Sequence, residues 1–180
     1  MTAIVPEALQ FPTAFARAQS GDHDAFAELV GKHEAMVYSL AWNFFGDRSK
    51  AEEIAQDVFL QLYRHLESIE SDSHLLFWLR QVTTRRCIDQ LRRARFKIVS
   101  LEHAEDVAAS PRVADPLLDR RLKAMVQELP ELQRAVVTLR YQEDLDPSEI
   151  CGIVGMPVNT VKSHLHRALQ ALRRKLEKHP

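Results

Sequence analysis

Apolar residues recur along this chain with the three-and-four spacing of helices that each bury one face. Phe26, Leu29, Val30, Val37, Leu40, Ala41 and Phe44 make one such stripe, and Ile54, Val58, Leu62 and Leu66 a second. Leu75, Trp78, Leu79 and Val82 begin a third, Leu132, Ala135, Val136 and Leu139 a fourth, and Val161, Leu165, Ala168, Leu172 and Leu176 a fifth. These stripes predict amphipathic helices. The two-residue alternation of strands is nearly absent, so the fold is expected to be all-α. A short helix over about 12–20 should end at Gly21, and Asp22 should cap a long one that stops near Gly46. Ser49 and Glu52 have the spacing of a capping box opening a helix that runs to about 66. After the polar loop SIESDS at 68–73, the next helix should begin near His74.

From Ile98 to about Pro116 no apolar period holds: Ala, Ser, Asp and Glu dominate, and prolines stand at 111 and 116. That composition predicts a flexible linker. The expected organisation is therefore two small helical domains, 12–97 and 117–178, joined by a linker at 98–116. In the second domain a helix over about 117–128 leads to Pro130, which should start another.

The stretch DPSEICGIVGMPVNTVKSHLHRALQALRRKL, 146–176, predicts two helices meeting at a tight turn. Asp146 can cap the first, Pro147 suits its first position, and Glu149 can reach back to complete a capping box. Gly155 should end it in the left-handed conformation, with Pro157 where the next helix starts. Away from its apolar stripe the second helix carries Asn159, Ser163, His166, Arg167, Gln170 and Arg174, flanked by Thr160 and Lys162. This is the layout of a helix-turn-helix, whose second helix enters the DNA major groove. An ordinary helical hairpin with a solvated face has the same layout, and the motif alone leaves both readings open.

Charge then weighs toward nucleic acid. The formal net charge is only −1, but it hides a strong segregation. Between Arg80 and Lys97 stand seven Lys/Arg against the single acid Asp89; between Pro157 and Pro180 stand six against the single acid Glu177. Two separate basic surfaces suit two contacts with a polyanion. The first run, with Arg80, Arg85, Arg86, Arg92 and Arg93, lies on one predicted helix just after Phe77 and Trp78. Arginines beside aromatics can track phosphates and stack unpaired bases. By contrast, the outer face of helix 49–66, with Glu53, Gln56, Asp57 and Gln61, is acidic and amide-rich. Such a face is most often merely solvated.

Other classes find little support. Cys87 and Cys151 have no CxxC spacing, so neither a disulfide framework nor a structural zinc site is expected. His33-Glu34 lacks the second His of a HExxH motif, and the five glycines form no phosphate-binding loop, so neither an enzyme nor a cofactor is expected. The N-terminus lacks the basic and apolar regions of a signal peptide, and no apolar run approaches the roughly 20 residues that span a bilayer. A cytoplasmic protein with no membrane insertion is expected.

Two helical units, each with a basic surface and joined by a tether, resemble the sigma factors of bacterial RNA polymerase, specifically the extracytoplasmic-function (ECF) group. The resemblance runs from about Phe15 to Leu176. LPELQRAVVTLRYQEDLDPSEICGIVGMPVNTVKSHLHRALQALRRKL is similar to the family's fourth region, AEEIAQDVFLQLYRHL to the region-two helix that docks on the polymerase clamp, and WLRQVTTRRCIDQLRR to the helix that melts and holds the minus-ten element. The chain departs from the family at Arg85, where Asn is usual, near Leu75, where Phe is usual, near Asp144, where Gly is usual, and at His164, where Arg is frequent.

The resemblance implies a promoter factor with core RNA polymerase, promoter DNA and an anti-sigma factor as partners. Asn159, Thr160, Lys162, Ser163, His166 and Arg167 would then read the upstream element. Loop 68–74, with Ser71, Asp72 and Ser73, would receive a flipped minus-ten base next to Trp78 and the arginines Arg80, Arg85, Arg86, Arg92 and Arg93. Glu53, Gln56, Asp57 and Gln61 would face the polymerase. A helix-turn-helix repressor or response-regulator output module would use the same C-terminal half. In that case the clamp-like helix and the basic helix 80–97 would have no role.

Overall fold

A computed structural model of the chain describes residues 13–100 and 116–178. Every regular element among them is helical. The order is α1 (Ala14–Gln19), α2 (His23–Phe45), α3 (Arg48–His65), a 3₁₀ turn (Leu66–Ser68), α4 (Asp72–Ser100), α5 (Pro116–Gln127), α6 (Glu131–Tyr141), α7 (Pro147–Val154) and α8 (Val158–Lys178).

Local chemistry sets the boundaries and moves several from where periodicity alone put them. Thr13 caps α1, its hydroxyl accepting from Ala16 N at 3.2 Å, so α1 starts two residues after Pro12. Asp22 caps α2 as expected, its carboxylate accepting from the Asp24 and Ala25 amides at 3.0 Å each. The cap of α3 is Asp47, which accepts from Lys50 N at 3.0 Å; Ser49 lies inside the first turn, and Glu52 pairs with Arg48 at 2.8 Å. The capping box expected at Ser49 and Glu52 is therefore absent, because an aspartate two residues earlier satisfies the same free amides. The polar loop 68–74 is also shorter than expected. Leu66–Ser68 winds into a 3₁₀ turn, and the Ser71 hydroxyl accepts from His74 N at 3.1 Å, so α4 already begins at Asp72. Helix α4 continues through 98–100, the first residues assigned to the linker, and 101–115 lie outside the described residues.

Helices α1–α4 enclose Leu29, Val37, Leu40, Phe44, Val58, Leu62, Leu75 and Leu79, all at 1 % exposure or less. The same apolar cluster runs on into the C-terminal half through Ala135, Val136, Leu139, Ile150, Ile153 and Val161. A smaller cluster of Met125, Leu129, Val137, Ala168 and Leu172 lies within the C-terminal half. Helix α6 is thus buried on two sides: Arg134 through Leu139 are all covered. The two helical units expected from the sequence are present, and they pack against one another, with α6 and α7 both lying on α4. Burial of these apolar faces, worth about 25 cal/mol per Å², is the main term holding the units together.

Candidate nucleic-acid and protein interfaces

The turn between α7 and α8 is built by short-range bonds. Asp146 Oδ1 accepts from Ser148 N at 2.6 Å and Glu149 N at 3.0 Å, while Asp146 N donates to Glu149 Oε2 at 2.7 Å, a complete capping box. Those amide donors hold the Asp146 carboxyl below the ordinary aspartate value. Gly155 ends α7 at φ 69°, a conformation that L side chains resist, and its amide donates to Cys151 O at 2.9 Å. Val161 and Thr160 then donate to Pro157 O, starting α8 at once.

The direction of α8 is fixed by Val161, Ala168 and Leu172, buried in two different apolar clusters. Among the residues predicted to read duplex DNA, Asn159, Lys162, Ser163, His166 and Arg167 are exposed and Thr160 is half-buried. Two of them make bonds on their own helix: the Ser163 hydroxyl donates to Asn159 O at 2.9 Å, and His166 Nε2 lies 2.9 Å from Gln170 Nε2. Leu176, expected in the buried stripe, is 41 % exposed.

The residues predicted to hold an opened strand are divided by the structure. Ser71, Asp72 and Ser73 are exposed at the start of α4 rather than in an open loop. Arg85 and Arg93 are exposed and line a groove of about 420 Å³ between α3 and α4, together with Asp57, Gln61 and Asp89. Arg86 donates to Asp57 at 2.6 Å and to Gln61 Oε1 at 2.9 and 3.2 Å. Arg80 donates to Glu143 Oε2 of the C-terminal unit at 2.8 Å, and Arg92 lies 3.6 Å from Glu131 of that unit. Trp78 is half-buried against the core, its ring 6.3 Å from His65, and is not an open stacking platform. Cys87 is fully buried, and burial pushes its thiol far above the ordinary value, so it is a packing residue with little thiolate.

The face predicted to meet polymerase is also rearranged. Glu53 and Gln56 are exposed, but Asp57 and Gln61 are turned to Arg86. Across α3 from that pair lies a groove of about 960 Å³ between α2 and α3, lined by Phe26, Val30, Tyr38, Phe59, Leu60 and Tyr63 along with Glu34, Glu52 and Gln56. Leu60 is 56 % and Tyr63 54 % exposed, with Phe26 packed edge-on to Tyr63 at 5.2 Å. The groove combines these apolar side chains with the carboxylates of Glu34 and Glu52. The sequence carried a signal for it, since Phe59, Leu60 and Tyr63 lie beside the Ile54–Val58–Leu62 stripe and are more apolar than burial requires.

No group of His, Cys, Asp or Glu able to hold a metal occurs among the described residues, and no helix there is long and apolar enough to cross a membrane.

Comparison with known proteins gives consistent matches. The family description "Sigma-70 region 2" matches residues 29–97 and "Sigma-70, region 4" residues 119–172. The RNA polymerase sigma-H factor of Pseudomonas aeruginosa is 31 % identical over 175 residues, covering 89 % of this chain and 91 % of the relative. The ECF RNA polymerase sigma-E factor of Escherichia coli is 30 % identical over 177 residues with the same coverage, and the ECF RNA polymerase sigma factor SigW of Bacillus subtilis is 29 % identical over 174 residues, covering 89 % and 93 %. Among solved structures, the sigma factor RpoE of Bartonella quintana, in complex with the anti-sigma factor NepR, superposes with a TM-score of 0.72 at 22 % identity over 86 % of this chain and 98 % of that one. CnrH, in complex with the cytosolic domain of CnrY, superposes at 0.68 and 20 % identity over 93 % and 97 %.

Proposed function

The chain belongs to the ECF group of RNA polymerase sigma factors, and we propose that it binds core RNA polymerase and directs it to promoters, reading duplex DNA with α8 and holding an opened strand with α4. The observation that carries this reading is the construction of α8. Its apolar side is sealed by Val161, Ala168 and Leu172, while Asn159, Lys162, Ser163, His166 and Arg167 form an uncovered row of donors on a rigid helix. Side chains of this kind read base edges in the major groove, and lysines and arginines beside them position the helix on phosphates.

In this reading 12–97 is the region-two unit, 117–178 the region-four unit and 98–116 the tether between them. Arg85 and Arg93 are exposed α4 arginines that line the α3/α4 groove and suit a phosphate backbone. Opening a duplex costs several kcal/mol, more than a unit of this size supplies, so the polymerase is a required partner. We assign its docking site to the α2/α3 groove, with Leu60 and Tyr63 as apolar anchors and Glu52 and Gln56 beside them. The role is that of an initiation factor in the cytoplasm rather than an enzyme, and its expected regulator is an anti-sigma factor.

Multi-round transcription tests the reading. Core polymerase plus this protein should yield transcripts from a cognate promoter that core alone does not. A protein that binds DNA but supports no core-dependent transcription would instead be a helix-turn-helix regulator working outside the polymerase.

A further inference from the structure

We propose that α8 fixes the hydrogen-bond polarity of its own recognition row: Gln170 is a positioning residue that holds His166 as a donor through Nδ1, and the Asn159 carbonyl holds Ser163 as an acceptor. His166 then selects the N7 acceptor of a purine, and Ser163 the amino group of an adenine or cytosine on the next base pair. The proposal rests on the duplex-reading role assigned to α8 above and names the base edges which that role selects.

A neutral imidazole carries one donor and one acceptor nitrogen, and which is which decides what the ring can read. Gln170 Nε2 lies 2.9 Å from His166 Nε2, and both side chains are exposed on the outer face of α8. An amide nitrogen can only donate. His166 Nε2 is therefore the accepting nitrogen, the ring proton sits on Nδ1, and Nδ1–H is the group left for DNA. The pair is four residues apart, so each turn of the helix keeps amide and ring side by side.

Ser163 is set the other way. A hydroxyl has one proton, and that of Ser163 is donated to the Asn159 carbonyl at 2.9 Å. Its exposed oxygen is left with lone pairs alone, which suit a base amino group and not a phosphate oxygen. Ser163 and His166 are three residues apart, about 4.5 Å along the helix. Base pairs rise about 3.4 Å, so the two side chains meet consecutive pairs. Beside them the exposed Arg167 can only donate, which leaves Ser163 as the acceptor next to two donors.

The test uses the full chain. Duplexes with a randomised segment are enriched on the wild type to give its preferred site. Long-range nitrogen–proton NMR then reads the His166 tautomer. The wild type should hold the proton on Nδ1, and Gln170→Leu, which cannot donate to the ring, should populate both tautomers. Replacing one purine of the enriched site by its 7-deaza analogue, which lacks N7, should weaken wild-type binding about fivefold. The same replacement should weaken Gln170→Leu by a clearly smaller factor, which assigns that N7 to His166 and not to Arg167. Ser163→Ala should lose about fivefold on the enriched site and all preference for the amino base at the neighbouring pair. Far-UV circular dichroism checks that both variants keep their helix, and the wild-type tautomer stands whether or not they do. A wild-type proton on Nε2, equal 7-deaza effects in wild type and Gln170→Leu at every purine, or an unaltered preference in Ser163→Ala would each overturn the proposal. Enrichment of no site overturns the duplex-reading role and this inference with it. An enriched site with equal effects removes this inference alone.

Discussion

Arg86 Nη1 donates to Asp57 Oδ2 at 2.6 Å, tying α4 to the acidic helix α3. The two side chains are 36 % and 48 % exposed, so the pair contributes no more than about 0.2–1 kcal/mol to stability. Asp57→Ala should therefore leave the melting temperature nearly unchanged and weaken core-polymerase association only slightly. Its larger effect should fall on single-strand binding, where a released Arg86 gains a phosphate partner. Competition assays for core polymerase check the first point and oligonucleotide titrations the second.

The α2/α3 groove gives the opposite expectation. Leu60 and Tyr63 are more than half exposed, so Leu60→Ala and Tyr63→Ala cost the free protein little. If they are anchors at a desolvated contact, each should weaken core association by about 1–4 kcal/mol. Affinity for core polymerase, measured with each variant, decides this; no loss in either would mean that polymerase docks elsewhere on α3.

Asp144 has φ 52°, the one non-glycine residue with positive φ among those described. Left-handed backbone costs an L-residue roughly 1–2 kcal/mol, somewhat less for aspartate, and glycine avoids most of it. Asp144→Gly should raise stability by up to about 1 kcal/mol, since the Arg140 contact that it removes is long at 3.9 Å and exposed. Chemical denaturation midpoints measure the change.

How much of this could be read from the chain depends on how local its causes are. The helix-turn-helix was legible because capping is decided within four residues: Asp146, Pro147, Glu149 and Gly155 each act on their own turn. The α3 start was misread for the same reason, since Asp47 and Ser49 can both cap and only the structure shows that Asp47 does. Periodicity found the buried faces of α2, α3 and α6. It could not say what covers them, and the Ala135–Leu139 side of α6 looks like any core stripe although its cluster extends into the other unit. Arginine runs likewise announce a polyanion site without revealing that Glu143 and Glu131 already stand on it. The two carboxylates lie far along the chain, and no local pattern pairs them with α4.

The cap at Asp146 carries a pH signature. Its folded-state value is depressed by the Glu149 and Ser148 amides, so its contribution to stability is fully present above the ordinary aspartate range near about pH 4 and is lost as pH falls through the depressed value. Asp146→Ala should lower the melting temperature at neutral pH, and the gap between wild type and variant should close on acidification. Thermal scans across that window measure it; a gap independent of pH would mean that the carboxylate charge contributes nothing to the cap.

Base reading and general affinity should be separable along α8. Arg167 is exposed and lies off the Val161–Ala168–Leu172 side, so Arg167→Ala should leave the fold intact. If its guanidinium grips a guanine edge with two bonds, its loss should cost about 1–3 kcal/mol on the preferred site and relax preference at one base pair. Arg173 and Arg174 stand about two turns further on, where the helix leaves the groove, and Arg174 Nε already donates to Gln170 O at 3.3 Å. Replacing these two with alanine should weaken binding to every sequence alike and flatten the dependence of affinity on salt. Titrations of each variant on the preferred duplex and its single-base variants, at two salt concentrations, separate the roles. Uniform weakening by Arg167→Ala would reduce that residue to a phosphate contact and move specificity to Asn159, Lys162, Ser163 and His166.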